Sequence, residues 1–450
     1  MARQLFGTDG IRGVAGEYPL DPRTTHAVGM ALGRLAVRFG SNPEVILGVD
    51  TRESGPWLAS HVAGGLASSG ARARFAGLIT TPGVAYLTRA DAFVAGVMIS
   101  ASHNPYRDNG IKVFGHSGYK LADEQEHELE SEIFALLESG VEPAPLKLEE
   151  DPGLDQRYLD YLAATFPASL EGLRIVVDCA NGAATKLAPA LLERLGARVE
   201  AIHCEPDGRN INLNCGTLHL ESLREAVLGR GADAGVALDG DADRAMFVSR
   251  SGKIVDGDGI MLLAGRFLLA RGELTGPDGQ PTVVSTVMSN LGLEKALARE
   301  GIRMPRCAVG DRYVLEEMLR TGAVLGGEQS GHVIFHNYAT TGDGLLTMLR
   351  VLEVMLASGK DLDELTRGLE HYPQRLVNIR VREKVPFAQL PDVDSEIAAA
   401  EAAVGDTGRI LVRYSGTELL ARVMVEAADR RHVEDYSTRI AAAIQRAIGA

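Results

Sequence analysis

Short runs of uninterrupted apolar residues recur along this chain. Between them lie stretches whose apolar residues repeat at helical spacing. Val45-Ile46-Leu47-Gly48-Val49, Phe93 to Ile99, Ile175-Val176-Val177 and Ala234 to Leu238 are the clearest of the short runs. Runs of this length, with turn residues on either side, are the pattern of strands buried on both faces. Asp21-Pro22 supplies an N-cap and a first helical residue, and the spacing predicts a helix from there to Phe39, closed by Gly40. A second helical stretch crosses Trp57 to Ala67. Strand and helix in alternation predict mostly parallel sheets covered by helices.

Breaks in this pattern divide the chain. Residues 140–152 hold three prolines and several acids and read as a linker. The acidic stretch Asp123 to Glu138 before it reads as a solvated helix face. A second α/β unit follows, with its first strand at Arg174 to Val177, and a third begins at Gly257. Tyr372-Pro373-Gln374 marks the last break. Beyond it the expected strands near Val377–Arg380, Ile410–Val412 and Ala421–Val425 precede a helix from His432 onward. The expected organisation is three similar α/β domains, 1–152, 153–256 and 257–370, with mixed or parallel sheets, and a smaller α+β domain, 371–450. Length agrees, since 450 residues with 45% hydrophobic content exceed what one core covers and suit about three or four domains.

Charge narrows the partners. The net charge of −14 disfavours nucleic acid and anionic membranes. A phosphorylated ligand would therefore need its own local Arg and Lys residues. Cys179, Cys204, Cys215 and Cys307 form no C-x-x-C pair, and reduced thiols are expected. The opening Met1-Ala2-Arg3-Gln4-Leu5 starts no apolar signal segment. No stretch approaches the roughly 20 apolar residues of a membrane span, so a cytoplasmic location is expected.

In open α/β sheets ligands bind beyond the carboxyl ends of strands, so the residues after each apolar run carry the candidate chemistry. After Ile99 comes Ser100-Ala101-Ser102-His103-Asn104-Pro105, then Asp108-Asn109-Gly110-Ile111-Lys112. Ser102 as a nucleophile needs a base or metal. His103 is adjacent, and Lys112 returns to the site if the loop folds back. Read alone, the segment is better explained as a Ser/Asn-rich turn ending at Pro105. After Leu238 comes Asp239-Gly240-Asp241-Ala242-Asp243-Arg244. Three carboxylates at alternate positions repel unless a cation sits among them. Arg244 and Arg250 occupy the positions where an EF-hand needs Gly and Glu, so a Mg²⁺ loop facing phosphate fits better. Gly327-Glu328-Gln329-Ser330-Gly331-His332 mixes donors and acceptors and suits a polyhydroxylated ligand. Arg413-Tyr414-Ser415-Gly416-Thr417-Glu418 has the composition of a phosphate cradle. Phe6-Gly7-Thr8-Asp9-Gly10-Ile11-Arg12-Gly13 is Gly-rich but lacks the ending of a P-loop; Arg12 offers a phosphate contact.

Taken together, these loops resemble the α-D-phosphohexomutase superfamily, over essentially the whole chain and in the same order. Within it the phosphoglucosamine mutase branch is the most similar, on the opening Phe6-to-Gly13 segment, Glu328-Gln329-Ser330-Gly331-His332, Val309-Gly310-Asp311-Arg312-Tyr313-Val314 and Thr341-Gly342-Asp343-Gly344. The resemblance implies four domains around a central cleft. It implies a phosphoserine at Ser102 and one Mg²⁺ held by Ser102, Asp239, Asp241 and Asp243. Arg244, Lys112 and Arg12 would stand near the transferred phosphoryl group, with Lys112, His103 and His332 as acid/base candidates. Glu328 and Ser330 would grip the sugar, and Arg413, Ser415, Gly416 and Thr417 the phosphate that is not reacting. The implied reaction interconverts glucosamine 6-phosphate and glucosamine 1-phosphate through a bound glucosamine 1,6-bisphosphate, toward UDP-N-acetylglucosamine. A homodimer is carried as an expectation. Cys215-Gly216-Thr217-Leu218-His219, Tyr414 and Leu419 depart from the branch's usual residues. A phosphomannomutase/phosphoglucomutase, a haloacid-dehalogenase-type phosphatase with Asp239 as nucleophile, and a non-catalytic phosphosugar sensor stay open as alternatives.

Overall fold

The structure is a computed structural model that describes residues 5–7, 9–40, 43–91, 93–415 and 418–450. Its backbone forms two compact units. One holds residues 1–288 and 302–367, the other residues 289–301 and 368–450. Among the described residues no helix is long and apolar enough to cross a membrane.

The larger unit carries three sheets built on one plan. In the first, the order is Phe6–Gly7, Gly10–Val14, Asp108–Gly115, Ala95–Ile99, Glu44–Val49, Arg72–Leu78. Glu44–Val49 runs parallel to both Arg72–Leu78 and Ala95–Ile99, and Asp108–Gly115 returns antiparallel to Ala95–Ile99. The second runs Ile254–Val255, Ala245–Ser249, Ala234–Leu238, Arg174–Asp178, Arg198–Ile202, with Ala245–Ser249 antiparallel to Ala234–Leu238. The third runs Arg306–Cys307, Val283–Thr286, Leu325–Gly327, Val333–Phe335, with Val333–Phe335 antiparallel to Leu325–Gly327. Each sheet thus has a parallel centre whose last parallel strand turns back in an antiparallel hairpin. The three hairpin loops, residues 100–107, 239–244 and 328–332, are the segments whose chemistry stood out in the sequence.

The uninterrupted apolar runs are the central strands. Ala95–Ile99 and Ala234–Leu238 are buried at every residue. The Asp21 carboxylate accepts hydrogen bonds from the Arg23 and Thr24 N–H groups and starts the helix Pro22–Ala36, which tightens into a 3-10 turn, Val37–Phe39. This helix crosses Gly55–Ser68 with the two backbones in contact. A Cβ on Gly29 would lie 2.1 Å from the Val62 carbonyl oxygen, and one on Gly65 2.1 Å from that of His26. Both helices share one apolar core with the first sheet and with Asp123–Glu138.

Two expectations change here. The acidic stretch is a helix, Asp123–Glu138, but not a wholly solvated face. Glu126 and Glu130 are buried, and Glu130 Oε2 accepts from the Leu5 and Phe6 N–H groups at 2.8 and 3.1 Å. A carboxylate is retained there because strand-leading N–H groups satisfy it. Residues 140–152 are irregular but lie along the first sheet and its helices: the Leu146 N–H bonds the Ser60 carbonyl at 2.9 Å and the Asp151 N–H that of Phe75 at 2.7 Å.

The smaller unit has a fully antiparallel sheet, in the order Gln374–Arg380, Leu420–Ala427, Gly408–Tyr414. Its core includes residues of the helices Pro391–Val404 and Arg430–Ile448. The helix Leu291–Arg299 also belongs to this unit. The fold is therefore three α/β layers with mixed sheets and a smaller α+β domain.

Glycine positions give opposite expectations for one added methyl. Gly29→Ala forces a backbone collision and should destabilise by about 2–3 kcal/mol, as overpacked cores do. Gly229, inside the helix Glu221–Arg230, has nothing within 4 Å of an added Cβ, and Gly229→Ala should stabilise by up to about 1 kcal/mol. Thermal midpoints of the two variants against the parent test both signs.

Candidate active site

Ser102 follows the buried strand Ala95–Ile99 and adopts the left-handed conformation, φ 51°, which costs a non-glycine residue roughly 1–3 kcal/mol unless the surroundings hold it. They do. The Ser102 N–H bonds Ser100 Oγ at 2.9 Å, and Ser100 Oγ donates to Asp50 Oδ2 at 2.6 Å. The buried Arg52, ion-paired to Asp50, donates to the Ser102 and Asn104 carbonyls at 3.1 and 2.7 Å. Asn212 Nδ2 donates to the same two carbonyls at 2.9 and 3.1 Å. The Ser102 hydroxyl is thus presented by a loop clamped from two sheets.

That hydroxyl donates to Asp239 Oδ2 at 2.6 Å. One carboxylate oxygen each from Asp239, Asp241 and Asp243 lie within 4.8 Å of one another, all three residues buried. Gly240 makes the approach possible, since a Cβ there would come to 2.5 Å from the Ser102 carbonyl oxygen. Thr81 Oγ1 donates to Asp241 Oδ2, and the Arg244 N–H to Asp239 Oδ1 at 3.1 Å. Asp241 Oδ1 and Asp243 Oδ1 are buried without a hydrogen-bond partner among the described residues. Burial, then repulsion from Asp243 and Asp241, pushes the Asp239 carboxyl well above the usual range. Buried, unpartnered, mutually repelling oxygens and a serine hydroxyl fit a hard divalent cation.

Cations surround this cluster. Lys112, from the returning strand Asp108–Gly115, is 1% exposed, and its Nζ lies 2.8 Å from Asp241, 3.1 Å from Asp9 and 3.4 Å from Asp243. Burial opposes its charge, but Asp241, Asp9 and Asp243 outweigh that and hold it well above its ordinary pKa as an ammonium. Burial likewise opposes ionisation of Asp243, yet Lys112 and His332 hold it well below the usual range. Arg12 is ion-paired to Asp9 and donates to the Ala101 carbonyl at 3.1 Å. Lys120 bridges Asp9 and Asp311. Burial, then Arg244 and Arg12, pushes His103 down to about 4; its neutral ring has Nδ1 3.4 Å from Ser102 Oγ. His332 Nδ1 lies 3.8 Å from Asp243, and its Nε2 accepts the Gly342 N–H at 3.0 Å. The ring therefore carries its proton on Nδ1.

The 328–332 loop completes the site. Glu328 Oε1 accepts the Gly310 N–H at 3.0 Å. A cavity of about 450 Å³ is lined by Asp9, Arg12, His103, Asp243, Arg244, Asp311, Glu328 and His332, among others. Ser330 is exposed and, with Glu328 and Gln329, lines a neighbouring cavity of about 410 Å³. Arg413 and Ser415 belong to the smaller unit. There Arg413 pairs across the sheet with Arg422, and burial together with that charge lowers its pKa. Gly416 and Thr417 lie outside the described residues. Tyr414, which departs from the family residue, stacks on Phe387 with ring centroids 4.4 Å apart and bonds the Val385 carbonyl, so it packs within its own domain.

Several participants were not read from the sequence. Asp50, Arg52 and Asn212 hold the Ser102 loop, and Asp9, Lys120 and Asp311 hold the charge balance. Asp50-Thr51-Arg52 follows the apolar run Val45–Val49, so the strand-end rule applied there would have found it. Asn212, Thr81 and Lys120 carry no local signal.

Comparison with known proteins follows the same order along the chain. Models described as phosphoglucomutase/phosphomannomutase alpha/beta/alpha domains I, II and III and the C-terminal domain match residues 3–139, 156–252, 256–372 and 376–443. A phosphoglucosamine mutase from Solibacter usitatus is 60% identical over 449 residues, covering 100% of both chains. Another, from Koribacter versatilis, is 53% identical over 457 residues, covering 99% of this chain and 98% of that one. A crystal structure of a phosphoglucomutase/phosphomannomutase family protein from Burkholderia thailandensis is similar with a TM-score of 0.80 at 25% identity, covering 98% of this chain and 97% of that one.

Lys112→Met removes the buried ammonium shared by Asp9, Asp241 and Asp243. Leaving buried charges unpaired in this way costs about 3–5 kcal/mol. Thermal unfolding in chelator should show that loss, and excess magnesium should restore part of it. Equal midpoints for variant and parent in chelator would contradict the assigned charge balance.

Proposed function

The chain belongs to the phosphoglucomutase/phosphomannomutase family, and from that premise we propose that it interconverts glucosamine 6-phosphate and glucosamine 1-phosphate, as an intramolecular phosphotransferase of the isomerase class. One observation carries the chemistry: the strained, clamped Ser102 hydroxyl sits 2.6 Å from Asp239, beside two buried carboxylate oxygens that have no hydrogen-bond partner among the described residues.

In this reading Ser102 rests as a phosphoserine. The bond between its Oγ and phosphorus breaks as O1 of glucosamine 6-phosphate bonds to the same phosphorus, giving glucosamine 1,6-bisphosphate. The bisphosphate turns end for end, the phosphoryl on O6 returns to Ser102, and glucosamine 1-phosphate leaves for UDP-N-acetylglucosamine synthesis. A phosphoserine adds about −1.5 to −2 charges beside three carboxylates. Asp239, Asp241, Asp243 and the Ser102 oxygens would hold Mg²⁺, which supplies charge neutralisation at the transferring group.

The chain's own residues do the rest. Lys112, Arg244 and Arg12 donate to the phosphoryl oxygens. The proton lost from the sugar hydroxyl must end on Ser102 Oγ. Lys112, already an ammonium, cannot accept it, and the acceptor nitrogen of His332, Nε2, is taken by the Gly342 N–H. His103, neutral and within reach of Ser102 Oγ, is the group best placed to pass it. Glu328 and Ser330 hold sugar hydroxyls. Arg413, Ser415, Gly416 and Thr417 hold the distal phosphate. We assign the boundaries 1–152, 153–256, 257–370 and 371–450 to the four domains that carry these roles.

The phosphatase reading needs Asp239 as the nucleophile, yet both its oxygens accept hydrogen bonds, from Ser102 and the Arg244 N–H. A phosphomannomutase/phosphoglucomutase activity is disfavoured by relatives 60% and 53% identical that are phosphoglucosamine mutases.

Ser102→Ala should lower kcat at least about a thousandfold, roughly 4 kcal/mol of barrier, while the sugar phosphate still binds by calorimetry. Intact-protein and peptide mass spectrometry should find the phosphoryl group on Ser102; finding it on Asp239 would revive the phosphatase. A coupled assay of glucosamine, glucose and mannose 6-phosphates should give the highest kcat/KM with the amino sugar, and a higher value for either neutral sugar would reject the substrate assignment.

A further inference from the structure

Behind the Ser102 clamp lies a second group of potential ligands that the phosphoryl chemistry does not use. Asp178 ends the strand Arg174–Asp178, His203 follows the neighbouring strand Arg198–Ile202, and Cys215 lies in the loop that carries Asn212. One ligand atom from each of the three lies within 4.8 Å of the others. Asp178 is fully buried and Cys215 nearly so. Among the described residues no Lys or Arg is within ion-pair distance of Asp178, whose only ionisable neighbour at that range is His203.

The Asp178 oxygens accept one backbone N–H each, from Ala180 at 2.8 Å and Gly216 at 3.0 Å. A carboxylate has about four acceptor positions, so half its capacity is spare. His203 Nδ1 is buried and 3.0 Å from Asp178 Oδ2, off the alignment of a well-formed hydrogen bond, and contact with that carboxylate raises the imidazole pKa from its ordinary value. A tetrahedral ion with ligands at about 2.0–2.3 Å needs donor atoms roughly 3.3–3.7 Å apart, so the His203 Nδ1–Asp178 Oδ2 pair, at 3.0 Å, opens by a few tenths of an ångström to admit one. His203 itself is held at φ 47°, in the left-handed region, by the Asn181 N–H on its carbonyl at 2.6 Å.

We propose that Asp178, His203 and Cys215 bind a divalent transition-metal cation of the zinc class at a second site, separate from the carboxylate cluster at Ser102. The donor set decides the class: sulfur, imidazole nitrogen and one carboxylate suit Zn²⁺ and not Mg²⁺, which takes oxygen ligands. The three residues leave a fourth position for water, and the 29% exposed His203 side chain gives access. The site is joined to the active site through the loops it would tie together. Asn212, three residues before Cys215, donates to the Ser102 carbonyl at 2.9 Å, and the Ala183 N–H bonds the Gly240 carbonyl at 2.8 Å. A metal there stiffens the support of both the phosphoserine loop and the aspartate loop.

Cobalt(II) is the probe, added to metal-free full-length protein with excess magnesium present to occupy the carboxylate cluster. The expected result is thiolate-to-cobalt charge-transfer absorption with tetrahedral d–d bands, saturating at one equivalent and abolished by zinc. Cys215→Ser and His203→Gly should lose the charge-transfer band or its tetrahedral pattern, while Cys204→Ser and Cys307→Ser keep both. Glycine accepts the positive φ at position 203, so His203→Gly keeps its fold, checked by circular dichroism. Zinc should also raise the thermal midpoint of the parent and leave that of His203→Gly unmoved. A folded parent without the charge-transfer band, or a band that survives Cys215→Ser, overturns the proposal.

Discussion

Three buried carboxylates brought to one point are the constraint to which the larger unit answers. At an effective dielectric constant of about 20, two unit charges 4 Å apart repel by about 4 kcal/mol. Three such pairs amount to on the order of 10 kcal/mol, comparable to the whole stability margin of a domain. Resident cations relieve this in part. Asp9, Asp239, Asp241 and Asp243 face Lys112, Arg12 and Arg244, one positive charge short. The raised Asp239 and the lowered Asp243 express that shortfall. Lys112, 3.4 Å from Asp243, together with His332 holds that carboxylate ionised, and the repulsion falls on Asp239. A divalent cation would close the deficit, and the phosphoserine proposed at Ser102 would make the need greater.

The architecture supplies such a point three times over. Each sheet of the larger unit ends a parallel strand in a short hairpin loop, and those loops meet. Contact at this distance leaves no room for side chains between backbones. Gly240 against the Ser102 carbonyl and Gly257 against the Glu328 carbonyl, where a Cβ would stand at 2.5 and 1.9 Å, are the positions where that shows. The Ser102 backbone is strained for the same reason: a left-handed turn aims its hydroxyl across to Asp239, and Arg52 and Asn212 from two different sheets hold it there.

The positions of the central strands and the charge of the aspartate loop were legible in the sequence because each depends on local pattern. Buried runs mark central strands, and Asp239-Gly240-Asp241-Ala242-Asp243 states its own charge problem. What escaped was whatever depends on residues distant in sequence. Glu130 looked like one more acid on a solvated helix; its role is set by the N–H groups of Leu5 and Phe6, more than a hundred residues away. Asn212 and Thr81 are ordinary polar residues until the second sheet meets the first. Asp9 sat in a Gly-rich opening read for Arg12, yet it is Asp9 that Lys112, Lys120 and Arg12 all contact.

That convergence on Asp9 bears on how an acidic protein admits an anionic substrate. The net charge of −14 repels phosphate at long range, though screening confines this to roughly a Debye length, about 8 Å at physiological salt. Within the cavity the cations stand ready, but each is already paired with a carboxylate. In the proposed reaction a phosphoryl group arriving beside Lys112 and Arg12 would exchange one anion for another at cations already held by their ion pairs with Asp9. Little reorganisation accompanies the exchange, which is the condition under which fixed charges stabilise a transition state better than water does. In that reading Asp9 is the internal stand-in for phosphate, and its charge helps keep Lys112 and Lys120 ionised. The same carboxylates that make the site costly to fold thus keep its lysines charged and in place for transfer.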